Sequence, residues 1–114
     1  MKYLMLVIAG TGDSTEADHQ AAPDVEEWFA YVTGKGAWVT GDRLRPTDDA
    51  TTVRVRGGEL LVTDGPFTES KEWIAGFDVL ECEDLDAAIE IASRHPQAYG
   101  GTLELRPFWP MDEA

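Results

Sequence analysis

Carboxylates, hydroxyls and a lysine crowd one stretch of this chain, Asp64-Gly65-Pro66-Phe67-Thr68-Glu69-Ser70-Lys71-Glu72. Aromatic side chains stand beside it, Phe67 within the run and Trp73 and Phe77 just after. A carboxylate or ammonium group at a pocket mouth can orient a polar ligand or exchange a proton with it, and aromatic side chains supply the apolar wall. Asp64, Lys71 and Glu72 are therefore candidate polar groups of a pocket, with Phe67 and Phe77 as its wall. The same residues also admit a structural reading. Asp-Gly-Pro is turn chemistry, because Asp bonds its own downstream backbone, Gly accepts unusual φ and Pro fixes φ. Lys71 between Glu69 and Glu72 can be a solvent ion pair, and large apolar groups on a loop can pack against a partner subunit.

His95 is the other candidate, as a general base near neutral pH. Near the end of a helix it can instead serve the helix dipole and the last carbonyls. His19, with Asp13, Glu16 and Asp18 nearby, matches no zinc or calcium spacing and reads as a solvated loop. Cys82 lies between Glu81 and Glu83, and neighbouring carboxylates raise a thiol's pKa, so it reads as inert. No metal and no cofactor are called for.

The elements that must position these groups alternate between strand and helix patterns. Residues 2–9 are a near-continuous apolar run, as in a strand buried on both faces. Residues 10–22 read as a loop. From Pro23, the apolar positions Val25, Trp28, Phe29 and Val32 mark an amphipathic helix with Pro23 in its first turn, ended by Gly34 or Gly36. Ala37 to Arg45 reads as a strand closed by Pro46. Thr51 to Arg56 and Glu59 to Thr63 flank Gly57-Gly58, a two-residue hairpin signal. Trp73 to Cys82 is a further strand. Leu85, Ala88, Ile89 and Ala92 mark a second helix with Asp84 as N-cap and Pro96 as its stop. Leu103 and Leu105 alternate with charged residues in a last strand ended by Pro107. The apolar tail Phe108-Trp109-Pro110-Met111 is expected to pack across its own subunit or a partner.

Without the hairpin the order is β-α-β-β-α-β, the split arrangement of a ferredoxin-like α+β fold in one domain, residues 1–114. Two helices cover one sheet face and leave the other open. Strands apolar on both sides need that face buried, so a face-to-face homodimer is expected, with Leu103 and Leu105 beside the first strand in the interface.

Composition sets bounds on function. The 114 residues carry 9 basic and 22 acidic side chains, a net charge of −13. Duplex affinity depends on Lys and Arg neutralising phosphates, so nucleic acid and anionic membranes are disfavoured partners. A small molecule or another protein remains. The opening apolar run is far shorter than a membrane span, and a lone cysteine suits a reducing compartment. The expectation is a cytoplasmic protein.

The chain resembles the YCII-related domain family, specifically its DGPF branch. The resemblance rests on Tyr3 to Ile8, a turn at Gly41, Thr52-Val53-Arg54-Val55, Val62-Thr63-Asp64-Gly65-Pro66-Phe67, Lys71-Glu72, Gly76-Phe77, Leu85-Asp86-Ala88 and Glu104-Leu105-Arg106-Pro107. It implies a dimeric α+β barrel, in which two sheets enclose pockets between subunits. Enzymatic members of the family act on small, often aromatic compounds through a His–Asp pair, the His early in the first helix and the Asp before a Pro after the second. Here the first helix begins Pro23-Asp24-Val25-Glu26-Glu27-Trp28 without a histidine, and His95-Pro96 stands where Asp-Pro would. The resemblance thus implies a small-molecule binding protein or a factor accessory to transcription. The alternative is a cofactor-independent enzyme using Asp64, Lys71, Glu72 or His95 on a small aromatic or halogenated compound.

Overall fold

The computed structural model describes residues 1–10, 12–67 and 71–113. Its elements are β1 (Lys2–Gly10), α1 (Glu16–Ala21), α2 (Val25–Gly34), β2 (Trp38–Arg43), a 3-10 turn (Thr47–Asp49), β3 (Thr51–Arg56), β4 (Glu59–Asp64), β5 (Glu72–Glu81), α3 (Leu85–Ser93), α4 (Gln97–Gly100) and β6 (Thr102–Pro107). Four strands form an antiparallel sheet in the order β2-β5-β1-β6, and β3 and β4 form a separate two-stranded ribbon. Setting the ribbon aside, this is the ferredoxin-like order. The α+β expectation therefore holds.

The pleat divides the sheet into two unlike faces. Tyr3, Met5 and Val7 of β1 stand opposite Leu80, Asp78 and Gly76 of β5, and opposite Pro107, Leu105 and Leu103 of β6. On this face Met5, Leu80, Trp28, Val32, Ile91 and Ala92 form the buried core, with Leu103 and Leu105 packed against it. Leu103 and Leu105 thus belong under the helices and not on the open face. The opposite face carries Leu4 and Leu6 beside Val79 and Phe77, with Ile8 beside Ile74 across a register shift. Leu4, Leu6, Ile8, Phe77 and Val79 are only partly buried. The first strand is therefore covered on one side only.

The helices dock through fewer residues than their periodicity suggests. In α2 only Trp28 and Val32 are buried, while Phe29 meets Trp38 edge-on at 5.0 Å between ring centres. In α3 the inward stripe is Ala88, Ile91 and Ala92, and Ile89 is exposed. Leu85-Ala88-Ile89-Ala92 and Ala88-Ile91-Ala92 both fit helical spacing, so periodicity alone does not choose between them. Trp28 Nε1 donates to the carbonyl of Ile91 at 2.9 Å and ties the two helices together.

Three local expectations are corrected. The segment 10–22 contains α1, whose N-cap Thr15 forms a capping box with Asp18: the hydroxyl accepts from the Asp18 amide, and the Asp18 carboxylate accepts from the Thr15 amide. Pro23 lies outside α2, because the N-cap is Asp24. Trp109 and Met111 remain exposed and do not pack across their own subunit. The tail is held by its first amide, Phe108 N–H to the Lys2 carbonyl at 2.9 Å. No helix among the described residues is long and apolar enough to cross a membrane.

Candidate functional site

The Asp-Gly-Pro turn ends β4 and anchors the base of the ribbon. Gly65 has φ +99°, a conformation that favours glycine. Its amide donates to the Ala50 carbonyl at 2.7 Å, and Thr52 Oγ1 donates to the Gly65 carbonyl at 2.8 Å. Those bonds pull the segment before β3 against the segment after β4. The Leu44 amide donates to the Ala75 carbonyl at 2.8 Å, extending the β2–β5 pairing to the edge of the same region.

An open cleft of about 1070 Å³ lies between these parts. One wall is Leu44, Trp73 and Ile74, and Pro46 and Pro66 add apolar surface. Asp64, Glu72, Asp48, Asp49 and Arg45 supply its charged groups. Arg45 pairs with Asp49 at 3.8 Å, both well exposed, so that pair is a soft, solvent-screened contact. A mostly apolar concavity with a few polar orienting groups suits a small organic ligand.

The cleft gathers some of the sequence candidates and leaves others out. Asp64 and Glu72 line it, at the end of β4 and the start of β5. Phe67 is 74% exposed and does not line it; the Arg54 guanidinium sits 5.5 Å from the centre of its ring. Lys71 is exposed and is not a lining residue. Phe77 lies on the open sheet face opposite Leu6 and is not a lining residue. Thr68, Glu69 and Ser70 fall outside the described residues. Sequence reasoning missed Leu44 to Ala50 altogether. The signal was there in Arg45-Pro46-Thr47-Asp48-Asp49, a Pro-initiated turn directly before a hairpin whose two ends must meet.

His95 is buried on the helix side of the sheet and does not line the cleft. Its ring meets Trp28 edge-on, 4.7 Å between centres. Nδ1 accepts the Gln97 amide at 3.0 Å, capping the start of α4. Burial pushes its pKa down to about 4, because the charged imidazolium is poorly solvated there. Asp78 is another perturbed group near the core. Burial raises its pKa, and a 2.9 Å bond from Trp38 Nε1 opposes that rise. Burial is also the main cause that raises the Cys82 thiol, with the N-terminal ammonium opposing it and Asp84 and Glu81 adding to it.

A second, much smaller recess, about 30 Å³, lies between Gly10, Gly12, Ser14, Gly100 and Gly101. Ser14 Oγ is 3.2 Å from His19 Nε2 at its edge. His19 is exposed. Among the described residues, no three His, Cys, Asp or Glu side chains are grouped as metal ligands would be.

Comparison with known proteins now gives the lineage. A model of the YCII-related domain matches residues 1–112. The chain belongs to the YCII-related family. An uncharacterized protein of Rhizobium meliloti (strain 1021) is 42% identical over 98 residues, covering 82% of this chain and 77% of that protein. Membership in the YCII-related family fits the ferredoxin-like sheet, and it assigns no reaction to the cleft.

Proposed function

We propose that this YCII-related protein, of the DGPF branch, is a cytoplasmic two-fold dimer that binds a small organic molecule in the cleft at the base of its ribbon. The observation that carries this reading is the composition of the cleft: an apolar wall of Leu44, Trp73 and Ile74 faces carboxylates at Asp64 and Glu72. The Asp64-Gly65-Pro66-Phe67 turn supports the branch, since it shapes the rim. Partly buried Leu4, Leu6, Ile8, Phe77 and Val79 on the open sheet face support the dimer, because such a patch marks an interaction surface. The ligand is a compact molecule with an apolar or aromatic body and a hydrogen-bond donor or positive group for the carboxylates.

A library of small aromatic amines, alcohols and halogenated phenols, screened by native mass spectrometry, tests the reading. A bound compound should be lost in Trp73→Ala and weakened in Glu72→Gln, while Lys71→Met leaves it in place. Retention of binding in Trp73→Ala places the ligand elsewhere and sinks the cleft. A second reading draws on the same two carboxylates. With Asp64 and Glu72 at one cleft, acid–base chemistry on the ligand is open to them, and conversion of a bound compound on incubation would show it.

A further inference from the structure

The ribbon is exposed on both faces, and one of them is aliphatic. Val53 pairs with Val62 and Val55 with Leu60, so these aliphatic side chains share a face, at 61%, 56%, 59% and 63% exposure. Arg54, Arg56, Leu61 and Glu59 lie on the other face. A two-stranded hairpin is at best marginal in water without something packed on its apolar side. Gly57 and Gly58, both at positive φ, form the tip, and six-residue strands carry that tip roughly 20 Å from the base.

We propose that the β3–β4 ribbon is an intersubunit arm whose Val53/Val55/Leu60/Val62 face lies on a second copy of this chain and roofs that copy's cleft. The inference rests on the dimer reading and adds to it the statement that each cleft is completed by the partner. Charge favours this occupant. Residues 51–64 carry Arg54 and Arg56 against Glu59 and Asp64, a net of zero, so the rest of the chain carries the whole −13. The ribbon is thus the part of this molecule that another copy can accept without repulsion. Area favours it as well. At roughly 60–120 Å² per aliphatic side chain, the four residues of the face supply about a third to three-fifths of the ~800 Å² per partner that a stable interface needs. The open sheet face supplies the remainder.

The receiving surface is also present. Leu44, Trp73 and Ile74 form an exposed apolar wall. The arm of the same chain starts from the rim of that cleft, at Asp64 and Gly65, and its tip lies far from it. Two-fold symmetry makes the exchange reciprocal, arm to cleft and cleft to arm.

Sedimentation equilibrium and hydrogen exchange on the full chain test this. Wild type should be a dimer at micromolar concentration, and residues 53–62, 44–50 and 73–74 should exchange more slowly in the dimer than after dilution to monomer. Val55→Asp with Leu60→Asp alters positions already exposed in the monomer, and should weaken the dimer at least about 30-fold. A wild-type monomer overturns the dimer and the arm together. A wild-type dimer with ribbon amides unprotected, or a charged variant that dimerises as tightly as wild type, overturns the arm and leaves the sheet-face dimer standing. Should the variant fail to fold, the wild-type exchange pattern decides alone: protection of 53–62 supports the arm, and its absence overturns it.

Discussion

His95 shows how a residue type suited to proton transfer can be assigned to packing by its surroundings. Its Nδ1 is an acceptor for the Gln97 amide and its ring edge meets Trp28, so the neutral imidazole fits and the imidazolium does not. Because its folded pKa of about 4 lies below the ordinary value near 6.5, the unfolded chain binds more protons between those limits. Stability from this group is complete above about pH 6.5 and is lost as pH falls toward 4, on the order of 2–4 kcal/mol in all. Urea unfolding of wild type and His95→Phe from pH 7 to 4 checks it: the variant should be less stable at pH 7 but have a shallower decline. A parallel decline would assign the acid sensitivity to other groups. Asp78 offers the complementary case. Trp38→Phe removes the donor on its carboxylate and should cost about 1–3 kcal/mol at pH 7. The cost should shrink as pH falls and Asp78 takes up a proton, because the neutral acid has less need of the indole N–H; thermal melts along an acid pH series would read the difference.

At the scale of elements, the turn after β4 joins strand, ribbon and cleft. Gly65→Ala forces a side chain into a φ of +99°, and should cost about 1–2 kcal/mol while loosening the Ala50–Gly65 bond. The melting temperature should fall, and hydrogen exchange should quicken at Ala50 to Thr52 and at Gly65. An unchanged melt would mean that the base of the ribbon does not depend on this turn. The strands, the ribbon tip at Gly57-Gly58 and the Asp84 cap were legible because each has a short-range chemical cause. The helix α1 was hidden by Gly, Ser and Thr around it, although Thr15-x-x-Asp18 carried a capping signal. Site membership was less legible. Asp64 and Glu72 reached the cleft because they bracket the turn, whereas Phe77 shares the open sheet face with the lining residue Ile74 but lies across the β5 register shift from it, outside the cleft. A register shift depends on tertiary pairing, and local pattern does not announce it. The choice between Ile89 and Ile91 for the core was open for the same reason.

For the whole molecule, surface charge and apolar faces pull in opposite directions. A net charge of −13 on 114 residues makes two copies repel, whereas the sheet face and the ribbon favour association through apolar contact. Salt screens the first and leaves the second nearly untouched or slightly strengthened. Duplex DNA, which gains affinity from released counterions, responds the opposite way. The proposed dimer should therefore tighten as sodium chloride rises from about 20 to 300 mM, a span over which the Debye length falls from roughly 20 Å to under 10 Å. Sedimentation equilibrium across that series reads the dissociation constant directly, and a mobility-shift assay at the lower salt should show no duplex binding. A dimer that loosened with salt would instead mean that ion pairs hold it. The arginines of the ribbon, Arg54 and Arg56, would then be the first residues to replace, because they are the cations that the arm would bring to an acidic partner.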